Sequence, residues 1–276
     1  VLEKTNIKSV VTIHDLIYLR FPHYFSKIDR NIFNIKFRKS CQRADQIVAI
    51  CQQTKDDLIN FFNIEPDRIA VQYQACHPQF YQLRENIEKE KHRKKYNLDK
   101  PYVLFVGALE ERKNSLALLN AFESISESID HDLIIIGRGG KYKEKLYKVC
   151  QKQHLKNRIR ILENIPYQDN PLFCQNADLM VYPSFFEGFG LPIVEAMYSG
   201  TPVITSEGGV FPEAGGDAAC YINPKNPKSI AQAIVMILGS KDLQFEMREK
   251  GFEQVKEFHI DNTSKKMMDL YKSLFR

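Results

Sequence analysis

What this sequence lacks narrows its class before any motif is read. No apolar run approaches the ~18 residues needed to cross a bilayer, which excludes an integral membrane helix. The first residues, VLEKTNIKS, lack the apolar core of a secretory leader, so none is expected; the chain opens on Val1, and further sequence is expected upstream. Six cysteines (41, 51, 76, 150, 174, 220) are scattered with no CxxC pair. That argues against a zinc ribbon, a redox dithiol or a disulfide framework, and predicts buried free thiols in a reducing cytosol. Glycine is sparse, at 13 of 276 residues, and 43% of residues are hydrophobic, so a collagen-like or disordered chain is excluded. There is no repeat, no low-complexity tract and no GxGxxG, which disfavours a nicotinamide dehydrogenase.

Charge is unevenly placed. Residues 1–96 carry 17 Lys/Arg against 11 Asp/Glu, whereas 97–276 carry 22 against 23, so the whole net charge of +5 belongs to the first third. Such an excess suits an anionic partner. Nucleic acid is not expected, because no aromatic–basic platform accompanies the charge. Within that third, residues 26–43 (SKIDRNIFNIKFRKSCQR) hold six basic residues, one acid and the apolar set Ile28, Ile32, Phe33, Ile35 and Phe37. This pattern predicts a basic amphipathic helix. It suits an anionic membrane surface, or an ordinary solvated helix with a core-facing stripe.

Short β-rich runs alternate with helical patterns. Strands are predicted at 9–13, 46–50, 69–73, 102–106, 133–136, 159–162, 179–182 and 202–205, and helices near 28–42, 53–62, 115–128, 141–153, 190–199, 227–238 and 242–257. The apolar runs do not alternate, so the strands are buried on both faces, and strand–helix alternation predicts parallel sheets with helices on both sides. The polar segment 81–97 breaks the pattern and is read as an interdomain connection ending in a helix. Two domains follow: 1–96, short and with only three predicted strands, and 97–276, of a size for a complete doubly wound domain.

Ligands of open parallel sheets bind at the carboxyl ends of the strands, so the chemistry should follow them. After 102–106 comes Gly107, then Arg112 and Lys113 just before a helix. Adjacent cations at a helix start suit a diphosphate, although a solvated pair on a loop has the same sequence. After 133–136 comes Gly137-Arg138-Gly139-Gly140, read as a backbone shelf for a base or simply as a turn. After 179–182 comes the densest run, PSFFEGFGLPIVEAM, with Glu187 and Glu195 eight positions apart, Gly188, Phe189 and Gly190 in the loop, and Leu191-Pro192 opening a helix. A helix start rich in glycine faces anions well, and a carboxylate one turn in suits a vicinal diol. His14 follows the first strand and is read either as structural or as meeting a ligand across the interdomain cleft.

VGALEERKN (106–114), EGFGLPIVEAMYSGTPVI (187–204), PEAGGDAACYINP (212–224), TIHDL (12–16) and RADQIVAICQQTKDDL (43–58) together resemble the retaining GT-B glycosyltransferases of family 4, the "glycosyl transferases group 1" class. The resemblance implies an α/β GT-B fold of two Rossmann-like doubly wound domains. The N-terminal, acceptor-side one would be incomplete, and the last helix would return to it. It implies a nucleotide-diphospho-sugar donor and a glycan or lipid-linked acceptor; the cysteine usage and the basic segment 26–43 add the expectation of a cytoplasmic enzyme at the membrane surface, and the lack of a DxD-like motif that of neither metal nor cofactor. Arg112 and Lys113 would hold the diphosphate, Glu187 the donor sugar beside the Phe189–Leu191 backbone, Glu195 the ribose, and the residues around Gly137 and Arg138 the base; His14 would approach the transferred sugar. Cys51-Gln52 stands where the family often has Ser-Glu, and Ser206-Glu207-Gly208-Gly209 replaces a Ser-Asn-rich loop. The alternative is a non-catalytic sugar-nucleotide-binding module, or a fragment inactive without upstream strands.

Overall fold

A computed structural model describes residues 7–275. The chain runs β1 (Val10–Ile13), α1 (Ile17–Arg20), α2 (Lys27–Arg43), β2 (Gln46–Ala49), α3 (Gln52–Phe62), β3 (Ile69–Val71) and α4 (Asn86–Lys95). It continues through β4 (Tyr102–Val106), α5 (Ser115–Ile125), β5 (Asp132–Ile136), α6 (Tyr142–Cys150), β6 (Ile159–Leu162), α7 (Asn170–Gln175), β7 (Leu179–Tyr182) and α8 (Leu191–Tyr198). It ends with β8 (Val203–Ser206), α9 (Phe211–Gly215), β9 (Ala219–Ile222), α10 (Pro227–Leu238), α11 (Lys241–Gln254) and α12 (Ile260–Ser273).

Two compact units emerge. The first holds the described residues up to Ala75, together with Glu187–Phe189 and the described residues from Glu257 onward; the second holds Cys76–Phe186 and Gly190–Lys256. Both have parallel sheets, as the alternation of strand and helix predicts.

The first unit has the order β1-β2-β3. Its core gathers Ile13, Leu16, Tyr18, Ile47, Ala49, Leu58 and Ile69. On α2 the apolar residues divide between two faces. Phe33 and Phe37 pack against this core and against the Tyr18 ring, at 5.7 and 5.6 Å. Ile28, Ile32 and Ile35 face outward and are 72%, 42% and 55% exposed. The predicted single apolar stripe is therefore two stripes, because 33 and 37 share one side of a 3.6-residue helix while 28, 32 and 35 share another.

The second unit has the order β6-β5-β4-β7-β8-β9. Counted from its own first strand this is 3-2-1-4-5-6, the doubly wound order that reverses between β4 and β7. The central strands are buried on both faces, which is why their sequences run apolar without alternation. β9 completes the sheet at 219–222, where no strand was predicted. The polar segment 81–97 contains α4 and is bonded to the second unit. Gln175 accepts from the Arg84 N–H at 2.8 Å and donates to the Gln82 carbonyl at 3.0 Å, Tyr96 and Lys95 both reach Asp169, and the His92 ring meets Phe173 edge-on at 4.4 Å. Side chains on α7 and in the turn before it thus hold α4 in the second unit.

Candidate active site

The reversal between β4 and β7 opens a crevice at their carboxyl ends, and the two loops that leave these strands are bonded to each other. Arg112 Nη1 donates to the Phe186 carbonyl at 2.7 Å, and the Phe185 N–H donates to the Arg112 carbonyl at 2.9 Å. Glu110 stands 3.6 Å from Arg112 Nη2 and is itself largely exposed. Lys113 Nζ donates to the Tyr182 hydroxyl at 2.8 Å and lies 5.2 Å over that ring. Tyr182 is the last residue of β7, so each cation of the β4 loop is oriented by a group from the strand or loop across the reversal. Asn114 caps α5 in the left-handed conformation, at φ 58°. Its buried amide donates to the carbonyls of Pro183 and Pro224, at 3.0 and 2.7 Å. One side chain thereby ties together the loops after β4, β7 and β9. Sequence reasoning passed over Asn114; its signal is an Asn at a strand–helix junction, a residue that tolerates left-handed backbone.

The glycines divide by what they approach. A Cβ on Gly137 would lie 1.9 Å from the Gly107 carbonyl oxygen, and one on Gly139 would lie 2.5 Å from the Leu109 carbonyl oxygen. The Arg138 carbonyl accepts from the Leu109 N–H at 2.7 Å, with the Arg138 side chain exposed. The Gly-Arg-Gly turn is thus glycine-rich because it seats backbone on backbone against the β4 loop. Gly107 itself has ordinary room, with its nearest contacts at 3.5–3.7 Å.

Gly190 begins α8 with φ 98°, and Pro192 occupies the first turn. Glu195 follows one turn in, 9% exposed. The Tyr167 hydroxyl donates to its Oε1 at 2.9 Å. Burial pushes the Glu195 carboxyl up to about 7, and the Tyr167 hydrogen bond works against that shift. The Cys76 and Cys174 thiols are pushed up by burial, with the Glu195 charge adding to it, so they stay protonated. Tyr167 sits in the loop after β6, the strand end that sequence reasoning did not follow, and its ring is braced edge-on by His77 and Phe80 at 5.7 and 6.1 Å.

The remaining candidates lie in the first unit. His14 leaves the end of β1, is exposed, and pairs its Nδ1 with the Gln74 amide at 3.3 Å. Glu187 is 6% exposed. The Phe189 ring packs against Tyr73 and Phe258 at 5.6 and 5.2 Å, so part of this aromatic loop is core. All six cysteines are free, four of them buried. Among the described residues no cluster of three or more His, Cys, Asp or Glu could hold a metal ion, and no helix is long and apolar enough to cross a membrane.

Comparison with known proteins identifies the family. The family model described as "Glycosyl transferases group 1" matches residues 86–254, and "Glycosyltransferase Family 4" matches 1–80. The chain is 30% identical over 270 residues to "O-antigen chain mannosyltransferase B" of Escherichia coli, covering 97% of this chain and 71% of that protein. It is 30% identical over 224 residues to "O-antigen chain mannosyltransferase RfbU" of Salmonella typhimurium, covering 81% of this chain but 59% of that protein. Among solved structures, Anabaena Alr3699/HepE in complex with UDP and glucose superposes with a TM-score of 0.84 at 19% identity, over 96% of this chain and 71% of that one. This likeness establishes the GT-B fold.

Proposed function

This chain belongs to the glycosyl transferases group 1 family, and from that premise we propose that it moves a hexose from a nucleotide-diphospho-sugar to a glycan or lipid-linked acceptor, with retention of anomeric configuration. The observation that carries the reading is the bonding of the Arg112-Lys113 loop to the β7 side of the strand reversal. Breaking the donor's glycosidic bond leaves negative charge on a nucleoside diphosphate, a good leaving group that needs little acid catalysis. The charge is best met by donors already in position when it develops. Arg112 and Lys113 are so held, and the N–H groups opening α8 add a favourable dipole. The reading assigns the leaving-group charge to them and to no metal ion. Glu195 takes the ribose diol, and Gly107, Gly137, Arg138 and the Phe189–Leu191 backbone border the rest of the donor. Glu187 and His14 are assigned to the transferred sugar. Retention implies same-face attack, with the departing phosphate accepting the acceptor's proton.

The two O-antigen relatives are named mannosyltransferases, which favours mannose, delivered as GDP-mannose, over a UDP-hexose. A thermal-shift series with UDP, GDP and ADP tests the donor. GDP at saturation should raise the melting temperature by about 5 °C, and radiolabelled mannose should pass from GDP-mannose to a lipid-linked acceptor. No shift with any nucleotide overturns the reading. A shift without transfer favours the non-catalytic alternative.

A second observation concerns location. Ile28, Ile32 and Ile35 form an outward row on α2, flanked by Lys36, Lys39 and Arg43. A basic helix with exposed isoleucines suits the interface of an anionic bilayer, consistent with a cytoplasmic enzyme that works on the membrane's inner face. The chain should float with phosphatidylglycerol vesicles and not with phosphatidylcholine ones, and changing all three isoleucines to Ser should abolish flotation. Equal flotation by the variant excludes this face.

A further inference from the structure

In the first unit, the segment Glu187–Phe189 rests on a buried polar pair from the start of α3. Cys51 Sγ donates to the Gly188 carbonyl at 3.1 Å, and Thr54 Oγ1 donates to the His14 carbonyl at 3.1 Å. The two side chains also touch, Sγ to Oγ1 at 3.1 Å, and the Thr54 N–H donates to Sγ at 3.3 Å, which caps α3. The thiol and the hydroxyl each carry one hydrogen. Each has a backbone carbonyl within reach, of Gly188 for the thiol and of His14 for the hydroxyl, and in the Sγ–Oγ1 contact either atom can donate. Cys51 is 0% and Thr54 2% exposed, so water does not compete for these acceptors.

The other side of Gly188 closes the seat. A Cβ there would fall 3.0 Å from the His14 carbonyl oxygen and 3.3 Å from the Asp15 side chain. The carbonyl that Thr54 holds is thus the surface on which the Gly188 α-carbon lies. Phe189, next along, is anchored between Tyr73 and Phe258. We infer that Cys51 and Thr54 are positioning residues, which seat Gly188 on the end of β1 and thereby set Glu187 and His14, two residues assigned to the transferred sugar, in fixed register. The positioning follows from these contacts. Its catalytic consequence rests on the proposed glycosyl transfer.

Hydrogen exchange of the full chain separates the two layers. In Cys51→Ala the amides of 187–190 should exchange about fivefold faster, the factor expected from one lost hydrogen bond, while the interior of α3 keeps its protection; Cys51→Ser should restore most of the difference. With sugar nucleotide and acceptor, Cys51→Ala should lower kcat about fivefold and leave the donor KM within twofold, again with rescue by serine. Unchanged exchange at 187–190 in folded Cys51→Ala overturns the seat. Changed exchange in a chain that transfers no sugar leaves the seat standing and removes the proposed function. Should Cys51→Ala fail to fold, Gly188→Ala tests the same contact from the opposite side. Cys51 should resist alkylation by N-ethylmaleimide in the wild type and react at least about fivefold faster in the variant; equal rates overturn the proposal.

Discussion

The two sheets arrange their loops by different means. The six-stranded sheet reverses direction at β4, so topology alone brings the loops after β4 and β7 side by side, and two hydrogen bonds between Arg112 and residues 185–186 then lock them. Among the described residues the other sheet has the order β1-β2-β3. Its strand-end residue His14 is fixed instead by individual side chains, Thr54 on its carbonyl and Gln74 on its ring. Where the order of strands builds a crevice, single polar contacts orient groups already gathered. At His14 such contacts hold the strand end directly. Substitutions at the reversal should therefore act on chemistry more than on structure.

The sharpest way to break that comparison is at the cations. Arg112→Ala and Lys113→Ala should each lower kcat by about 10²-fold, as for loss of an electrostatic stabiliser of the leaving group, with little change in melting temperature. An equal fall in stability and activity, measured by calorimetry beside initial rates, would make them latches of the two loops and nothing more.

Glu195 gives a smaller effect with a defined sign. Burial holds its carboxyl near 7, against an ordinary value of 4.5. The folded chain therefore keeps this proton where the unfolded chain has lost it. The stability so gained is fully present below pH 4.5 and is lost as pH rises through 7. Relative to Glu195→Gln, the wild type should lose about 1–2 kcal/mol between pH 6 and pH 8, read as a pH-dependent gap in melting temperature. Nucleotide binding should show the opposite sign, because a diol donating to the carboxylate favours its charged form. Wild-type affinity should fall as pH drops below 7, and the variant's should stay flat. Parallel profiles in calorimetry would remove Glu195 from the ribose.

The sequence made legible what depends on local pattern. Eight of the nine strands among the described residues announce themselves as apolar runs, most plainly the central β4, β7 and β8, which are buried on both faces and so apolar throughout. Pro192, two residues after Gly190, marked the start of α8. β9 was missed because ACYI is short and half-buried and adjoins a glycine-rich turn. The split faces of α2 were missed because two apolar stripes on one helix read as a single amphipathic pattern until the core chooses between them. The pairings Tyr167 with Glu195 and Cys51 with Gly188 join residues 28 and 137 positions apart. No periodicity encodes them; they exist only once the strands are ordered.

Two asparagines sharpen the same contrast at the lowest energy. Asn63 ends α3 in the first unit and Asn114 begins α5 in the second, both left-handed at φ 55° and 58°. Asn63 is exposed, and its backbone N–H simply closes the helix onto the Ile59 carbonyl at 2.9 Å. Asn114 is buried, and its amide serves two carbonyls from two other loops. Glycine relieves the left-handed strain at either site and removes the side chain. At Asn63 only the relief counts, so Asn63→Gly should stabilise the chain by about 0.5 kcal/mol. At Asn114 the lost hydrogen bonds leave buried carbonyls unsatisfied and outweigh the relief, so Asn114→Gly should cost about 1–2 kcal/mol. Urea midpoints moving in opposite directions would show that the same backbone conformation is a local convenience in one unit and a tertiary tie in the other. Midpoints moving together would mean that the amide of Asn114 contributes nothing beyond its φ.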